Sequence, residues 1–436
     1  MAKTEGTVEA IVTAIVRLIW GLRLELATAG AIAGVWACST RALGRLGGSL
    51  GVGLGFVALI AVPATRRFWW RQLRCAHVRR RFASAVRVTR FDRTKADRTP
   101  HVFRVRETAS GFRLTVQVPA GTSITDLENS AEVAAAAMGV AQIRIARDPR
   151  NAALATVSVI QREPLAGPPL PWQLIDAGAW SLWDPIPVGV DEDGGVVSVS
   201  LPEHNVLIGG EPGAGKSVAL SLLVAAAALD PAVTLWLLDG KRVELATWEP
   251  CAARLVGPSL EEAVGVLDQL REEMDARYAQ LLAWKRRKVS PEDGLGLQLV
   301  VIDELALYLA TDERRPREGF AESLRDLIAR GRAAGVIVLA ATQRPSSDIV
   351  PTSVRDLFGF RWAMRCATRD SSDTILGAGW AAEGYSAADI DPAYRGVGYL
   401  LHEGGVPVRM RASYLDDAAL TVLAARAAWR RGEAAA

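Results

Sequence analysis

The sequence predicts an α/β fold organised on buried parallel strands, preceded by a small α+β domain and an apolar helical N-terminal region. Three observations predict it. A short apolar strand, Asn205–Gly209, runs through a glycine loop into an Ala/Leu-rich helix at 217–229. A fully apolar run, Gln298–Ile302, ends in Asp303 and Glu304, as a buried parallel strand does when it delivers carboxylates to the C-terminal edge of a sheet. Short alternating runs within 101–161 flank an alanine-rich helical stretch. With 436 residues, half of them apolar, the chain holds two or three domains.

The net charge is only +3, but it is unevenly placed: residues 66–106 carry fourteen Lys/Arg against Asp92 and Asp97, leaving the remainder acidic. Leu46–Thr65 is twenty residues without a charge, long enough to cross a hydrocarbon core as a helix. A shorter uncharged run, Leu26–Thr40, precedes it, and the amphipathic segment 10–26 reads as an interfacial helix. Trp69, Trp70 and the arginines that follow suit an aromatic belt and a cytoplasmic flank. This predicts a multi-pass membrane hairpin with the body of the chain in the cytoplasm; a buried glycine-rich helical pair in a soluble protein is the alternative. The basic stretch suits anionic lipid, or a phosphate backbone. Cys38, Cys75, Cys251 and Cys366 form no CxxC pair, and His77, His101, His204 and His402 have no metal-ligand spacing, so packing cysteines and no zinc module are expected.

Alternating runs at Phe103–Arg106, Arg113–Val118, Gln142–Ala146 and Thr156–Ile160, with a helix over Ile124–Met138 behind a Thr122/Ser123 cap, predict a β-β-α-β-β adaptor unit. The Pro-rich segment 162–173 reads as a linker. The expected divisions are 1–98 (membrane anchor and basic juxtamembrane segment), 99–165 (adaptor), 166–415 (nucleotide-binding domain) and 416–436 (C-terminal helix or tail).

The loop Gly210, Glu211, Pro212, Gly213, Ala214, Gly215, Lys216, Ser217, Val218 is a P-loop, whose backbone N–H groups close around phosphates at a helix N-terminus. Lys216 is expected to reach the β- and γ-phosphates of ATP, Ser217 and Asp303 to hold Mg²⁺, and Glu304 to orient the attacking water. Two further apolar runs, Thr234–Leu238 and Val336–Ala340, end in Asp239-Gly240-Lys241 and Thr342-Gln343-Arg344; Gln343 is a candidate γ-phosphate sensor. Val264, Leu267, Met274, Tyr278 and Leu281 form a helical stripe that reads as core.

The stretches DPIPVGVDEDG, NVLIGGEPGAGKS, LLDGKRVEL, LVVIDELA, RGRAAGVIVLAATQRP, IVPTSVRDLFGFRWAMR, SSDTILG and RGVGYLL, in this order from Asp184 to Leu401, resemble the FtsK/SpoIIIE family of double-stranded DNA translocases. The short length, the N-terminal apolar runs and the Ala/Arg-rich composition together make the chain similar to its membrane-anchored conjugative-transfer members in actinobacteria. The resemblance implies a RecA-like P-loop NTPase motor assembled as a homo-hexamer around double-stranded DNA, hydrolysing ATP with Mg²⁺ in conjugation or chromosome segregation. It places the trans-acting arginine at Arg361, with Arg332 in reserve, although VRDLFG before Arg361 departs from the family spacing. Only 26 residues follow Met410, too few for the DNA-reading winged helix of some members, so an accessory protein is expected to supply sequence recognition. A type VII secretion-like ATPase moving protein cargo is the alternative reading.

Overall fold

The computed structural model describes residues 63–89 and 99–435 together with Arg41, apart from residues 109, 149, 162, 164, 179 and 347–350. The candidate spans Leu26–Thr40 and Leu46–Thr65 fall outside the described residues except for the helical start at 63–65. Among the described residues no helix is long and apolar enough to cross a membrane. The chain divides into two units, Met1–Glu163 and Pro164–Ala436.

In the first unit, helix α1 (Pro63–Val88) precedes β1 (His101–Glu107), β2 (Gly111–Gln117), α2 (Ile124–Asn129), α3 (Ala131–Met138), β3 (Gln142–Arg147) and β4 (Leu154–Ile160). The four strands form an antiparallel sheet in the order β1-β2-β4-β3. The single helix expected over 124–138 is two short ones. Ser123 caps the first in a reciprocal box with Asp126, and the Ser130 hydroxyl, donating to the Leu127 carbonyl at 2.8 Å, marks the break. Helix α1 belongs to this unit's core, not to a free juxtamembrane segment. Cys75, Val78, Phe82 and Val86, three or four residues apart, are buried with Leu114, Val116, Met138 and Val157. Phe68, Trp69, Trp70 and Leu73 are exposed in its N-terminal half, and Val88 at its C-terminal end.

The second unit holds a ten-stranded sheet. In chain order its elements are β5 (Ile186–Asp191), β6 (Val196–Val199), β7 (Val206–Gly209), α4 (Lys216–Ala228), β8 (Thr234–Leu238), β9 (Ala252–Val256), α5 (Leu260–Ala283), β10 (Gln298–Ile302), α6 (Leu305–Leu309) and α7 (Arg314–Ala334). There follow β11 (Val336–Thr342), α8 (Thr352–Arg355), β12 (Phe360–Met364), α9 (Arg369–Leu376), β13 (Val397–His402), β14 (Val408–Ala412) and α10 (Asp417–Ala435). The sheet order is β6-β5-β14-β13-β12-β7-β11-β10-β8-β9. From β12 to β9 neighbouring strands are parallel, and β13, β14, β5 and β6 extend the sheet antiparallel.

The apolar runs of β7, β8, β10 and β11 sort by alternation into two layers. Val206, Ile208, Leu235, Leu237, Leu299, Val301, Ile337 and Leu339 share one core with α4 and α10. Leu207, Trp236, Leu238, Val300, Ile302 and Val338 share the other with α5 and α7. The buried stripe of α5 is Ala263, Val266, Leu267, Leu270, Met274, Arg277 and Leu281; Val264 and Tyr278 lie at its margin rather than inside it. Asn205 ties the start of β7 across the sheet, donating to the Ile328 carbonyl at 3.0 Å and accepting from the Val338 N–H at 2.8 Å.

The C-terminal helix is part of the core, not a tail. Leu423, Ala424 and Ala427 are buried against the α4 layer. The Arg431 guanidinium donates to the carbonyls of Ala227, Ala228, Asp230 and Val233 at 2.6–3.2 Å, closing the C-terminus of α4, where a cation also meets the favourable end of the helix dipole. Arg431→Ala is therefore expected to destabilise the chain by about 2 kcal/mol, read as a lower melting temperature in thermal denaturation, with Arg431→Lys intermediate.

Candidate nucleotide site

The site is built where β7, β11 and β10 end. In the loop after β7, Gly213 and Gly215 have φ of 77° and 111°, which side chains with a Cβ rarely adopt. The remaining loop is pinned from outside. The Gly210 N–H donates to the Thr342 carbonyl at 3.2 Å, the Glu211 N–H to the Arg365 carbonyl at 2.9 Å, and the Gly396 N–H to the Ala214 carbonyl at 3.0 Å. The Glu211 carboxylate pairs with Arg365 at 2.5 Å. Glu211 thus serves loop geometry, a role its place in the motif does not announce. Pro212, Gly213, Gly215, Lys216, Ser217 and Val218 line a cavity of about 530 Å³, while Ala214 is buried beneath.

Lys216 begins α4 and is 4% exposed, and its Nζ donates to the Asp303 carbonyl at 2.8 Å. Burial pulls the ammonium below its usual range, opposed chiefly by Glu304 and then by Asp303 and Glu244. Asp303 is 1% exposed. One oxygen, Oδ1, accepts the Gly240 N–H at 2.9 Å, while Oδ2 is buried with no hydrogen-bond partner among the described residues. Burial pushes its carboxyl up to about 6; the Gly240 bond and Lys216 oppose this, whereas Asp239 and Glu304 add to it. Glu304 accepts from the Thr342 hydroxyl at 2.9 Å, and both its oxygens lie 3.1 Å from the Gln343 N–H. Gln343 therefore touches Glu304 through its backbone, and it also lines the cavity.

The two arginine candidates lie elsewhere. Arg361 sits within β12, in register with Leu207 of β7 and so short of the loop. It pairs with Asp356 at 3.5 Å and keeps its Nε buried without a partner. Burial pulls its guanidinium down, Arg355 adds to this, and Asp356 opposes it. Arg332 is held by the Glu203 carbonyl and by Glu403 at 3.2 Å. Neither lines the cavity of its own chain. His204 packs against Phe360 and His402.

The residues that motif reading missed come from the antiparallel half and the Pro-rich segment: Arg395, Gly396, Arg411, Ser413, Tyr414 and Pro169 also line the cavity. The segment expected as a linker is bound to the sheet. Leu165 and Trp172 are buried, the Trp172 Nε1–H donates to the Pro187 carbonyl at 2.9 Å, and the Tyr414 N–H donates to the Leu170 carbonyl at 2.7 Å. A bridge from Pro171 to Tyr414, just past β14, has no short-range signature, so periodicity gives no warning of it.

The FtsK/SpoIIIE family model matches residues 176–298. This segment is similar to the FtsK/SpoIIIE family. The match takes in the P-loop and ends as β10 begins, so Asp303 and Glu304 join the P-loop through geometry. Among curated proteins, the chain is 29% identical over 248 residues to the DNA translocase SftA of Bacillus subtilis, covering 53% of this chain and 25% of that protein. It is 30% identical over 206 residues to the DNA translocase FtsK of Chlorobaculum tepidum, covering 43% of this chain and 25% of that protein. The alignments thus span about a quarter of each relative's own length. Among solved structures, the pCW3 conjugation coupling protein TcpA, in a monomer form with ATPgS, covers 81% of this chain and 99% of that one, with a TM-score of 0.56 and 18% identity. The likeness is one of fold.

Mg²⁺ is the metal that the likeness to FtsK/SpoIIIE proteins implies, and the residues fit it. A buried, unpartnered carboxylate oxygen is a donor suited to a hard divalent cation, and Ser217 lines the adjoining cavity. The raised carboxyl of Asp303 sets a pH dependence. Its proton is held more tightly in the folded chain, so this contribution to stability is complete below about pH 4 and lost as pH rises through about 6. In chelator, Asp303→Asn is expected to flatten the fall in melting temperature across that window and to raise it at pH 7, a stability gain of at most about 3 kcal/mol.

Proposed function

We propose that the chain is a membrane-anchored, ATP-driven translocase of double-stranded DNA, its motor in the cytoplasm. The observation that carries this reading is the convergence of Lys216, Asp303 and Glu304 at one sheet edge, beside a cavity of about 530 Å³, in a chain whose P-loop segment is similar to the FtsK/SpoIIIE family. Relatives named DNA translocases support the cargo. The apolar N-terminal sequence supports the anchor.

In this reading Lys216 exchanges the Asp303 carbonyl for β- and γ-phosphate oxygens of ATP. Ser217 and Asp303 are the residues that would hold Mg²⁺, which supplies neutralisation of phosphate charge. Glu304, its carboxylate aimed by Thr342 and the Gln343 N–H, takes the proton of the attacking water. Gln343 faces the γ-phosphate end and reports hydrolysis to β11. Arg361, remote from its own loop, acts on a neighbour's nucleotide in a homo-hexamer, where Asp356 is the partner it must leave. Conjugative transfer is the setting we favour, with an accessory protein directing the motor to its DNA.

The test is ATP hydrolysis by the full chain with and without duplex DNA. The expected result is turnover stimulated by duplex, with the stimulation weakening as salt rises, and lost in Lys216→Ala. Glu304→Gln is expected to lower kcat by about 10²–10⁴-fold while nucleotide binding persists. Turnover indifferent to DNA in an assembled oligomer would overturn the DNA reading and favour protein cargo.

A further inference from the structure

The cavity has a wall that the P-loop does not supply. Facing 211–218 stand the end of β14, Tyr414, and Pro169 from the Pro-rich strap. The strap is fixed there: Pro171 forms a bridge with Tyr414, the Tyr414 N–H donates to the Leu170 carbonyl, and the Ser413 N–H donates to the Val188 carbonyl at 2.8 Å. Ser413 and Leu415 are buried, yet the Tyr414 side chain between them is 46% exposed. A ring held by a rigid backbone and left open at the rim of a phosphate cavity is a stacking platform.

Arg411 is the second observation. Arg409, two residues earlier on the same strand face, pairs with Glu192 at 2.7 Å, and Arg365 pairs with Glu211. Arg431 donates to four carbonyls through its terminal nitrogens. Arg411 is half-buried and has no ion pair among the described residues. Burial pulls its guanidinium down, and no neighbouring charge opposes it. Its Nη1 lies under the strap, 3.8 Å from where a Cβ on Gly167 would stand. A desolvated guanidinium without a counter-charge, lining a phosphate cavity, is suited to an anionic oxygen.

We propose that the strap 165–172 and the end of β14 form the far half of the nucleotide site, Arg411 engaging the phosphate chain and Tyr414 with Pro169 covering the base. The proposal rests on the cavity taking a nucleoside triphosphate. It makes two residues about 200 positions from the P-loop direct contacts, and it gives the Pro-rich segment a binding role.

The experiment displaces a fluorescent ATP analogue from the full chain with either ATP or inorganic tripolyphosphate, both with Mg²⁺. Arg411→Ala is expected to weaken both competitors about tenfold. Tyr414→Ala is expected to weaken ATP about tenfold and leave tripolyphosphate unchanged, while Tyr414→Phe keeps the ring and both affinities. Melting temperatures are read alongside; should Arg411→Ala melt early, Arg411→Lys enters the same titration, where the lost planar fork still predicts weaker binding of both. Wild-type affinity in the Arg411 and Tyr414 variants, with Lys216→Ala defective, overturns this proposal alone. A wild-type chain that binds neither competitor sinks the nucleotide reading itself. An Arg411 variant weakened for ATP but not for tripolyphosphate removes its phosphate role.

Discussion

The arrangement depends on one buried ammonium. Lys216 sits at the first turn of α4 with almost no access to water, and an ammonium so placed must find oxygen. It finds the Asp303 carbonyl, two strands away, because β11 lies between the loop strand β7 and the acid strand β10. The register does the rest. Gly209 pairs with Thr342, whereas Ile302 pairs with Ala340, so β11 projects two residues past the end of β10. That overhang brings the Thr342 hydroxyl and the Gln343 N–H onto Glu304. A slip of one residue would turn these groups to the other face and leave Glu304 without donors.

Holding that geometry takes more than the parallel strands. The helix bearing Lys216 is closed at its far end by Arg431 and covered by α10. The loop before it is tied to the residue after β12, through Arg365, and to the residue before β13, through Gly396. The antiparallel extension is therefore the scaffold of the loop as well as its far wall. Backbone bonds from three separate strands' ends fix a glycine-rich segment that has little intrinsic preference of its own.

What the sequence made legible follows from locality. The P-loop and the Asp303-Glu304 pair are contiguous patterns whose strand and helix contexts lie within a few residues, so they can be read directly. Arg411, Tyr414 and Pro169 are each unremarkable in their own windows. Only the pairing of β14 with β5 and β13, and the strap across it, makes them neighbours of Lys216. Helix α1 was legible in principle, since Cys75, Val78, Phe82 and Val86 have core spacing; the density of arginines between them pointed to a charged flank instead. For Arg361, position in the sequence says nothing of distance from the loop until the register of β12 against β7 is known.

The electrostatics around the cavity explain why such a site stays open to a ligand rather than collapsing on itself. Asp303 keeps one oxygen bare and holds its proton up to about 6, while Arg411 bears a guanidinium with no ion pair among the described residues. These opposite charges would neutralise each other if they met. Asp303 follows β10 and Arg411 stands on β14, with β11, β7, β12 and β13 between those strands in the sheet. A rigid sheet can keep both desolvated and apart, and the cost of each is recovered only by a partner carrying a cation at one end of a polyanion. Under the proposed reading, a metal-bound nucleotide offers each of them its counter-charge.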